Sequence, residues 1–161
     1  MWRIVYDMID VSITDFVDHP GKHLPIDIRV DTGSISALQE GVRVVEDVTI
    51  SGEGFAQLGT LYVDIRIRTA IERPCSRCLA PVRIPIDVHE TFEAAIPVGS
   101  VTIDLSPQIM GFILASLDPH LLCRADCRGL CPACGADLNQ HPEHACPNGD
   151  TDRLKLGDFL R

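Results

Sequence analysis

The sequence predicts a mostly β fold with a helix (α+β), in which a curved antiparallel sheet or partly closed barrel precedes the helix and a cysteine-rich C-terminal segment. Three observations support this fold class. Apolar and polar residues alternate over 61–72 and again over 82–89, with the period of two that is typical of a half-buried strand. Apolar residues recur at helical spacing over 106–117. Five of the seven cysteines lie after residue 119.

The composition limits the classes of protein to consider. The 161 residues include 23 acidic and 14 basic side chains, a formal net charge of −9, which excludes a protein that wraps nucleic acid over its whole surface. No apolar run approaches the ~18 residues that cross a bilayer, and the first residues lack the apolar core of a signal peptide. We therefore expect a cytoplasmic protein with no membrane partner.

Two parts of the chain are expected. Residues 1–119 form a β-rich domain with its helix near 106–117, and residues 120–161 form the cysteine-rich C-terminal segment. Within the first part, short strands are expected over 24–30 and 42–50 because these segments are rich in β-branched and alternating apolar residues.

The clearest local structures are a hairpin and a helix. The two alternating segments flank one tight turn, which predicts a β-hairpin that carries a Cys-x2-Cys motif near its tip. The sequence Ser106-Pro107 is typical of a helix start, with the serine as cap, and Asp118-Pro119 ends the helix. A last short helix is expected over 153–160.

The first cysteine pair, Cys75 and Cys78, lies in the hairpin turn. Two cysteines three residues apart can place both sulfurs on one tetrahedral ion. A thioredoxin-like redox pair is disfavoured because such a pair opens a helix, whereas here strand alternation resumes after the motif. A pair of inert buried cysteines also stays open, but half of a metal site is the favoured interpretation.

The second cysteine cluster gives a stronger signal. The segment Cys131-Pro132-Ala133-Cys134-Gly135 has the form of a zinc knuckle, in which the glycine permits a left-handed turn that brings backbone amides toward the sulfur. A reducing compartment disfavours a disulfide framework, and seven is an odd number. We expect these cysteines to bind Zn²⁺.

Counting ligands favours two zinc sites over one. A structural zinc takes four nitrogen or sulfur ligands, and seven cysteines with one histidine make eight. His144 is preferred to His141 because it lies two residues from Cys146 and His141 precedes a proline. The one-site alternative leaves Cys75 and Cys78 free. The favoured partition is Cys131, Cys134, His144 and Cys146 in one site, and Cys75, Cys78, Cys123 and Cys127 in the other.

The pattern does not predict an enzyme. Catalytic zinc sites keep an open coordination position and typically use histidine or carboxylate ligands. The sequence has no recognisable Ser-His-Asp set and no glycine-rich phosphate loop after a strand. We expect a non-catalytic protein with no small-molecule substrate.

Arginines surround the predicted zinc ligands. Residues 66–83 contain five arginines against one acidic residue, a local charge of +4. Guanidinium groups bind phosphates in a bidentate way, but they also offset the −2 charge of a zinc held by four thiolates. Both roles stay open. The residues predicted to contact RNA are Arg66, Arg68, Arg77, Arg83, Arg124 and Arg128.

Together, these motifs resemble the YceD family of bacterial and plastid proteins. The resemblance is carried by Cys75-Ser-Arg-Cys78-Leu79 after a strand, by Ile103-Asp104-Leu105 before the helix, and by the continuous run from Cys123 to Asn139. Asp152-Arg153-Leu154 also matches the family's closing pattern. The chain differs from the family pattern at His144-Ala-Cys146, where relatives of this subtype have two cysteines.

The resemblance implies a role in ribosome biogenesis. The expected function is a non-catalytic factor that supports accumulation or processing of large-subunit (23S-type) ribosomal RNA by binding that RNA or a pre-ribosomal protein. Two alternatives are a zinc-scaffolded adaptor that binds proteins without direct RNA contact and, less favoured, a Cys-x2-Cys thiol oxidoreductase, which requires an exposed cysteine of lowered pKa.

Overall fold

A computed structural model describes residues 9–35 and 41–146. The chain forms two compact units, one comprising Met1–Arg73 with Val82–Pro119 and the other Pro74–Pro81 with His120–Arg161. The second unit is therefore built from two separated segments, the hairpin tip and the cysteine-rich segment. The short helix expected over 153–160 lies outside the described residues.

The secondary structure is dominated by strands. The elements in chain order are β1 Asp10–Ser12, α1 Thr14–Asp18, β2 Leu24–Val30, a 3-10 turn Thr32–Ser34, β3 Arg43–Val44, β4 Val48–Gln57, β5 Thr60–Pro74, β6 Pro81–Ala95, β7 Thr102–Asp104 and α2 Ser106–Ala115.

The strands form two antiparallel sheets. The larger sheet has the order β2-β4-β5-β3, with β6 also paired to β5, and β1 pairs with β7 in a separate two-stranded sheet. The mostly β fold class with antiparallel strands is confirmed. Among the described residues the large sheet does not close into a barrel.

The predicted hairpin is the centre of the fold. Its alternation is confirmed on β5, where Leu61, Val63, Ile65 and Ile67 are buried and the residues between them face outward. The two strands end at Pro74 and Pro81, so the Cys-x2-Cys motif lies in the connecting turn. β4 reaches β5 through the two-residue turn Leu58-Gly59, in which both residues have positive φ, a geometry whose twist matches the flanking strands.

Three details differ from the sequence prediction: one strand is interrupted, the helix ends earlier, and its cap is a different residue. The strand expected over 42–50 is interrupted between β3 and β4, where the Asp47 carboxylate accepts hydrogen bonds from Arg29 and from the Thr32 amide and hydroxyl. The helix α2 ends at Ala115 rather than 117. Its N-cap is Leu105, whereas the Ser106 hydroxyl accepts a hydrogen bond from the Ile9 amide at 2.7 Å.

The core of the first unit is mainly aliphatic, in a chain with only five phenylalanines, two tyrosines and one tryptophan. Ile109 and Ile113 of α2 are fully buried and belong to one cluster with the inward side chains of β4 and β5. Within the described residues, no helix combines the length and apolar character needed to cross a membrane.

Candidate metal centre

The turn after β5 presents the first cysteine pair. The Cys75 amide donates to the Ala80 carbonyl at 2.8 Å, and the Leu79 amide donates to the Cys75 carbonyl at 3.0 Å. The Arg77 amide points at the Cys75 sulfur at 3.4 Å. Leu79 has a φ of 61° and is exposed, a left-handed conformation that costs a non-glycine residue about 1–2 kcal/mol.

The turn that contains Cys131 and Cys134 (the second knuckle) has the same backbone geometry as the turn that contains Cys75 and Cys78 (the first knuckle). The Cys131 amide donates to the Ala136 carbonyl at 2.8 Å and the Gly135 amide to the Cys131 carbonyl at 2.8 Å, the same two bonds at the same offsets as in the first turn. Gly135 has a φ of 76°, so a glycine occupies the left-handed position that Leu79 occupies in the first knuckle. The two Cys-x2-Cys turns are therefore one local structure used twice.

The two cysteines of the first knuckle lie beside Cys123 and Cys127, and the four residues form one group. The ligand atoms of Cys75, Cys78, Cys123 and Cys127 all lie within 4.8 Å of one another. The sulfur–sulfur distance is 3.8 Å between Cys75 and Cys127 and 3.5 Å between Cys78 and Cys123. Zinc–sulfur bonds of about 2.3 Å in a tetrahedron place the sulfurs about 3.8 Å apart. The group therefore fits a tetrahedral ion, and its sulfurs are too far apart for a disulfide.

The second knuckle belongs to a group of three cysteines and a histidine. The ligand atoms of Cys131, Cys134, His144 and Cys146 also lie within 4.8 Å of one another, and the Cys134 sulfur is 3.3 Å from Nε2 of His144. His141 is not part of this group. The two groups are those obtained by counting ligands in the sequence, and each could bind a metal ion.

Hydrogen bonds shift the pKa values of the thiols in opposite directions. Amides from Cys78, Arg77 and Cys123 lower the pKa of Cys75 to about 6. In the second knuckle, the amides of Cys134 and Ala133 lower the pKa of Cys131 to about 6. The neighbouring Cys78 thiol, together with burial, raises the pKa of Cys123 to about 12. Each knuckle thus stabilises one thiolate, and a bound cation would stabilise the others.

The guanidinium groups of the predicted arginines in the second unit contact backbone carbonyls or polar side chains of that unit. The Arg77 guanidinium donates to the Cys127 carbonyl at 2.9 Å, and that of Arg128 to the Pro142 carbonyl at 3.1 Å. Arg124 donates to the Asn139 side chain at 2.9 Å and lies 3.4 Å from Asp126. These three side chains hold together the loops that carry the ligands.

The predicted arginines of the first unit are paired with carboxylates. Arg66 binds Asp87 through two hydrogen bonds of 2.5 and 2.7 Å, and Arg68 lies 3.5 Å from the same carboxylate. Arg83 pairs with Glu46. The Asp87 carboxylate raises the pKa of Arg66. A phosphate would have to compete with these partners for each guanidinium.

Sequence reasoning missed Asn139. Its amide nitrogen donates to the Cys127 sulfur at 3.6 Å, and its oxygen accepts from the Arg128 amide at 2.9 Å. Asp137 orients it by accepting from its backbone and side-chain nitrogens, both at 2.9 Å, and these bonds lower the pKa of Asp137. In metal sites generally, residues that hydrogen-bond to the ligand side chains fix the orientation of those ligands. Two sequence signals pointed to it: the Asp-x-Asn spacing, which is typical of a turn, and its place at the end of the motif run from Cys123 to Asn139.

Fold and site define a protein of antiparallel sheets that carries one group of four thiols and one of three thiols and an imidazole. The chain is 30% identical over 159 residues to the uncharacterized protein Rv2926c of Mycobacterium tuberculosis and to the uncharacterized protein Mb2951c of Mycobacterium bovis, in alignments that cover 88% of this chain and 72% of each relative. It is 29% identical over 144 residues to the uncharacterized protein ML1660 of Mycobacterium leprae, covering 87% of this chain and 60% of that protein. The chain belongs to the family of these mycobacterial proteins. No family model and no solved structure matches it.

Proposed function

We propose that both groups hold structural Zn²⁺. Each group supplies four nitrogen or sulfur donors, the closed ligand set of structural zinc sites, and the sulfur–sulfur distances of the first group fit the tetrahedral geometry of that ion. A bound zinc would supply charge compensation for the thiolates and a crosslink between the loops that carry them. The second unit has no extended hydrophobic core of its own among the described residues, so metal binding would provide much of its folding energy.

The thiol oxidoreductase alternative receives less support. Cys75 has a lowered pKa, as a nucleophilic thiol requires, but its side chain is fully buried at 0% exposure. Attack on a protein disulfide requires access to the sulfur. The low pKa is better explained by the amides that also favour metal binding.

We further propose that the protein acts in the cytoplasm as a non-catalytic factor in ribosome biogenesis that supports accumulation of large-subunit ribosomal RNA. The observation that carries this proposal is the pair of four-ligand groups at the cysteines of the YceD motif. A reducing compartment would keep these seven cysteines available as metal ligands.

A pre-ribosomal protein is the better supported partner. The formal net charge of −9 suits a basic protein, while Arg66, Arg68 and Arg83 are already engaged by carboxylates. Direct RNA contact through Arg77, Arg124 and Arg128 would use guanidinium groups that also hydrogen-bond within the second unit.

Depletion of the protein in its native host tests the proposed function. We expect the ratio of large-subunit to small-subunit ribosomal RNA to fall, and wild-type protein to restore it. The Cys131→Ser variant should fail to restore it because the second group loses a ligand. A normal ratio in fully depleted cells would contradict the proposal.

A further inference from the structure

The outward face of the large sheet carries a stack of three aromatic rings. The ring centroids of His23 and Phe55 are 4.8 Å apart with an interplanar angle of 27°, and those of Phe55 and Tyr62 are 4.8 Å apart at 11°. Phe55 and Tyr62 are directly paired across β4 and β5. Both are only partly buried, so their rings remain available to a ligand.

This stack lines a cleft of about 380 Å³ that is rich in carboxylates. Glu53 from β4, Asp64 from β5 and Glu93 from β6 line it, and none of the described residues in its lining is a lysine or an arginine. Glu53 pairs with His23 at 2.9 Å and Asp64 with His89 at 2.5 Å. Among the described residues, the Glu93 side chain has neither a hydrogen bond nor an ion pair. Arg66, two residues after Asp64 on the same face, is held by Asp87.

We propose that this cleft binds an arginine side chain of a basic segment in a partner protein. Aromatic faces attract guanidinium groups through cation–π contacts and stacking, and carboxylates supply their hydrogen-bond acceptors. The combination of stacked rings and surplus negative charge selects a cation and repels the phosphates of a nucleic acid. A purely structural role, cross-strand stabilisation of the sheet, would explain why Phe55 and Tyr62 stack. It would not explain why the two rings line a cleft that also contains the unpaired Glu93 side chain.

The inference rests on the proposed function only in taking the partner to be a protein. A direct probe is a short unstructured peptide with two arginines, compared with the same peptide in which citrulline replaces both. Citrulline keeps the shape of the side chain and removes its charge. Binding to the full metal-loaded chain is followed by backbone amide shifts in NMR spectra. We expect the arginine peptide to shift the resonances of β4, β5 and β6 around the cleft, at least threefold more tightly than the citrulline peptide.

Two variants on one strand provide the matched comparison. Glu93→Gln removes the unpaired carboxylate of the cleft, whereas Glu90→Gln neutralises a residue of β6 that does not line it. We expect Glu93→Gln to weaken peptide binding threefold or more and Glu90→Gln to change it less than twofold. Tyr62→Leu should also weaken binding, with the fold checked by its amide spectrum.

The outcomes separate this inference from the proposed function. Equal affinity for the citrulline peptide, equal effects of the two glutamate variants, or tighter binding of a single-stranded RNA oligonucleotide at the same resonances would overturn the arginine cleft. A normal ribosomal RNA ratio after depletion, with cleft binding intact, would overturn only the role in ribosome biogenesis.

Discussion

Removing the Asn139 side chain should loosen metal binding by the first group. Asn139→Ala deletes four side-chain hydrogen bonds, to the Cys127 sulfur, Asp137, Arg124 and the Arg128 amide. Each hydrogen bond contributes about 0.5–1.5 kcal/mol net to stability, and bonds to exposed partners lie at the low end of that range. Losing all four should lower the free energy of unfolding of the second unit by about 2–3 kcal/mol. Loss of an outer partner typically lowers metal affinity about 10–100-fold, which corresponds to a similar free energy.

Cobalt substitution combined with chelator competition measures this effect at each group. Cobalt in a four-sulfur site and in a three-sulfur, one-nitrogen site has different visible absorption, so the two groups can be followed separately. We expect the four-cysteine group of Asn139→Ala to release its metal at about 10–100-fold lower chelator concentration than in the wild-type protein. The second group should change less because no bond to its ligand atoms is lost.

Two further variants test the reasoning. Gln140→Ala removes one exposed bond to Asp137 and should shift metal release less than about twofold, as expected for a surface substitution. Asn139→Asp keeps the acceptor for the Arg128 amide but places a carboxylate against the Cys127 sulfur, so it should weaken the first group at least as much as alanine does. Wild-type metal retention in Asn139→Asp would refute the assigned role of the amide.

Four other predictions concern the metal sites and the sheet. The purified protein should contain about two equivalents of zinc, and metal-free protein with seven reactive thiols would contradict this. Because a structural site contributes on the order of 10 kcal/mol of folding energy, Cys131→Ser should unfold the second unit. The amides of the first unit should stay protected from hydrogen exchange in that variant. Leu79→Gly should raise the thermal stability of the metal-loaded second unit by about 1 kcal/mol, and Gly135→Leu should lower it by about 1–2 kcal/mol, because both positions are left-handed. Arg77→Glu should weaken metal retention, because Arg77 donates a hydrogen bond to the Cys127 carbonyl. At matched metal occupancy, its RNA affinity should equal that of the wild-type protein across a salt series. A weaker salt dependence of RNA binding would indicate a lost phosphate contact. Hydrogen bonds from Thr32 and Arg29 lower the pKa of Asp47 to about 2, so its contribution to stability is complete above the ordinary value of 3.8 and declines as the pH falls toward 2. The loss of stability in Asp47→Asn, measured by denaturant unfolding, should therefore shrink over that pH interval, and a loss that stays constant would contradict this assignment.

Local patterns in the sequence were sufficient for the central hairpin, the helix and the two knuckles. Strand alternation over Leu61–Ile67 of β5 and helical spacing on α2 report burial directly, because one face of each element packs against the core of the first unit. The interruption between β3 and β4 was not predictable in this way. It depends on Asp47 reaching Arg29 and Thr32, which lie far from it along the chain.

Residue types and spacing in the sequence predicted eight candidate metal ligands and favoured their division into the two groups that the structure brings together. The groups that surround these ligands depend on contacts between residues distant in the sequence. Whether an arginine is free for phosphate depends on partners such as Asp87 and Glu46, brought near by sheet pairing. The contact between Asn139 and Cys127 and the stacking of Phe55 on Tyr62 have the same origin. Both depend on strand register and on how the loops fold back, which composition and spacing do not specify.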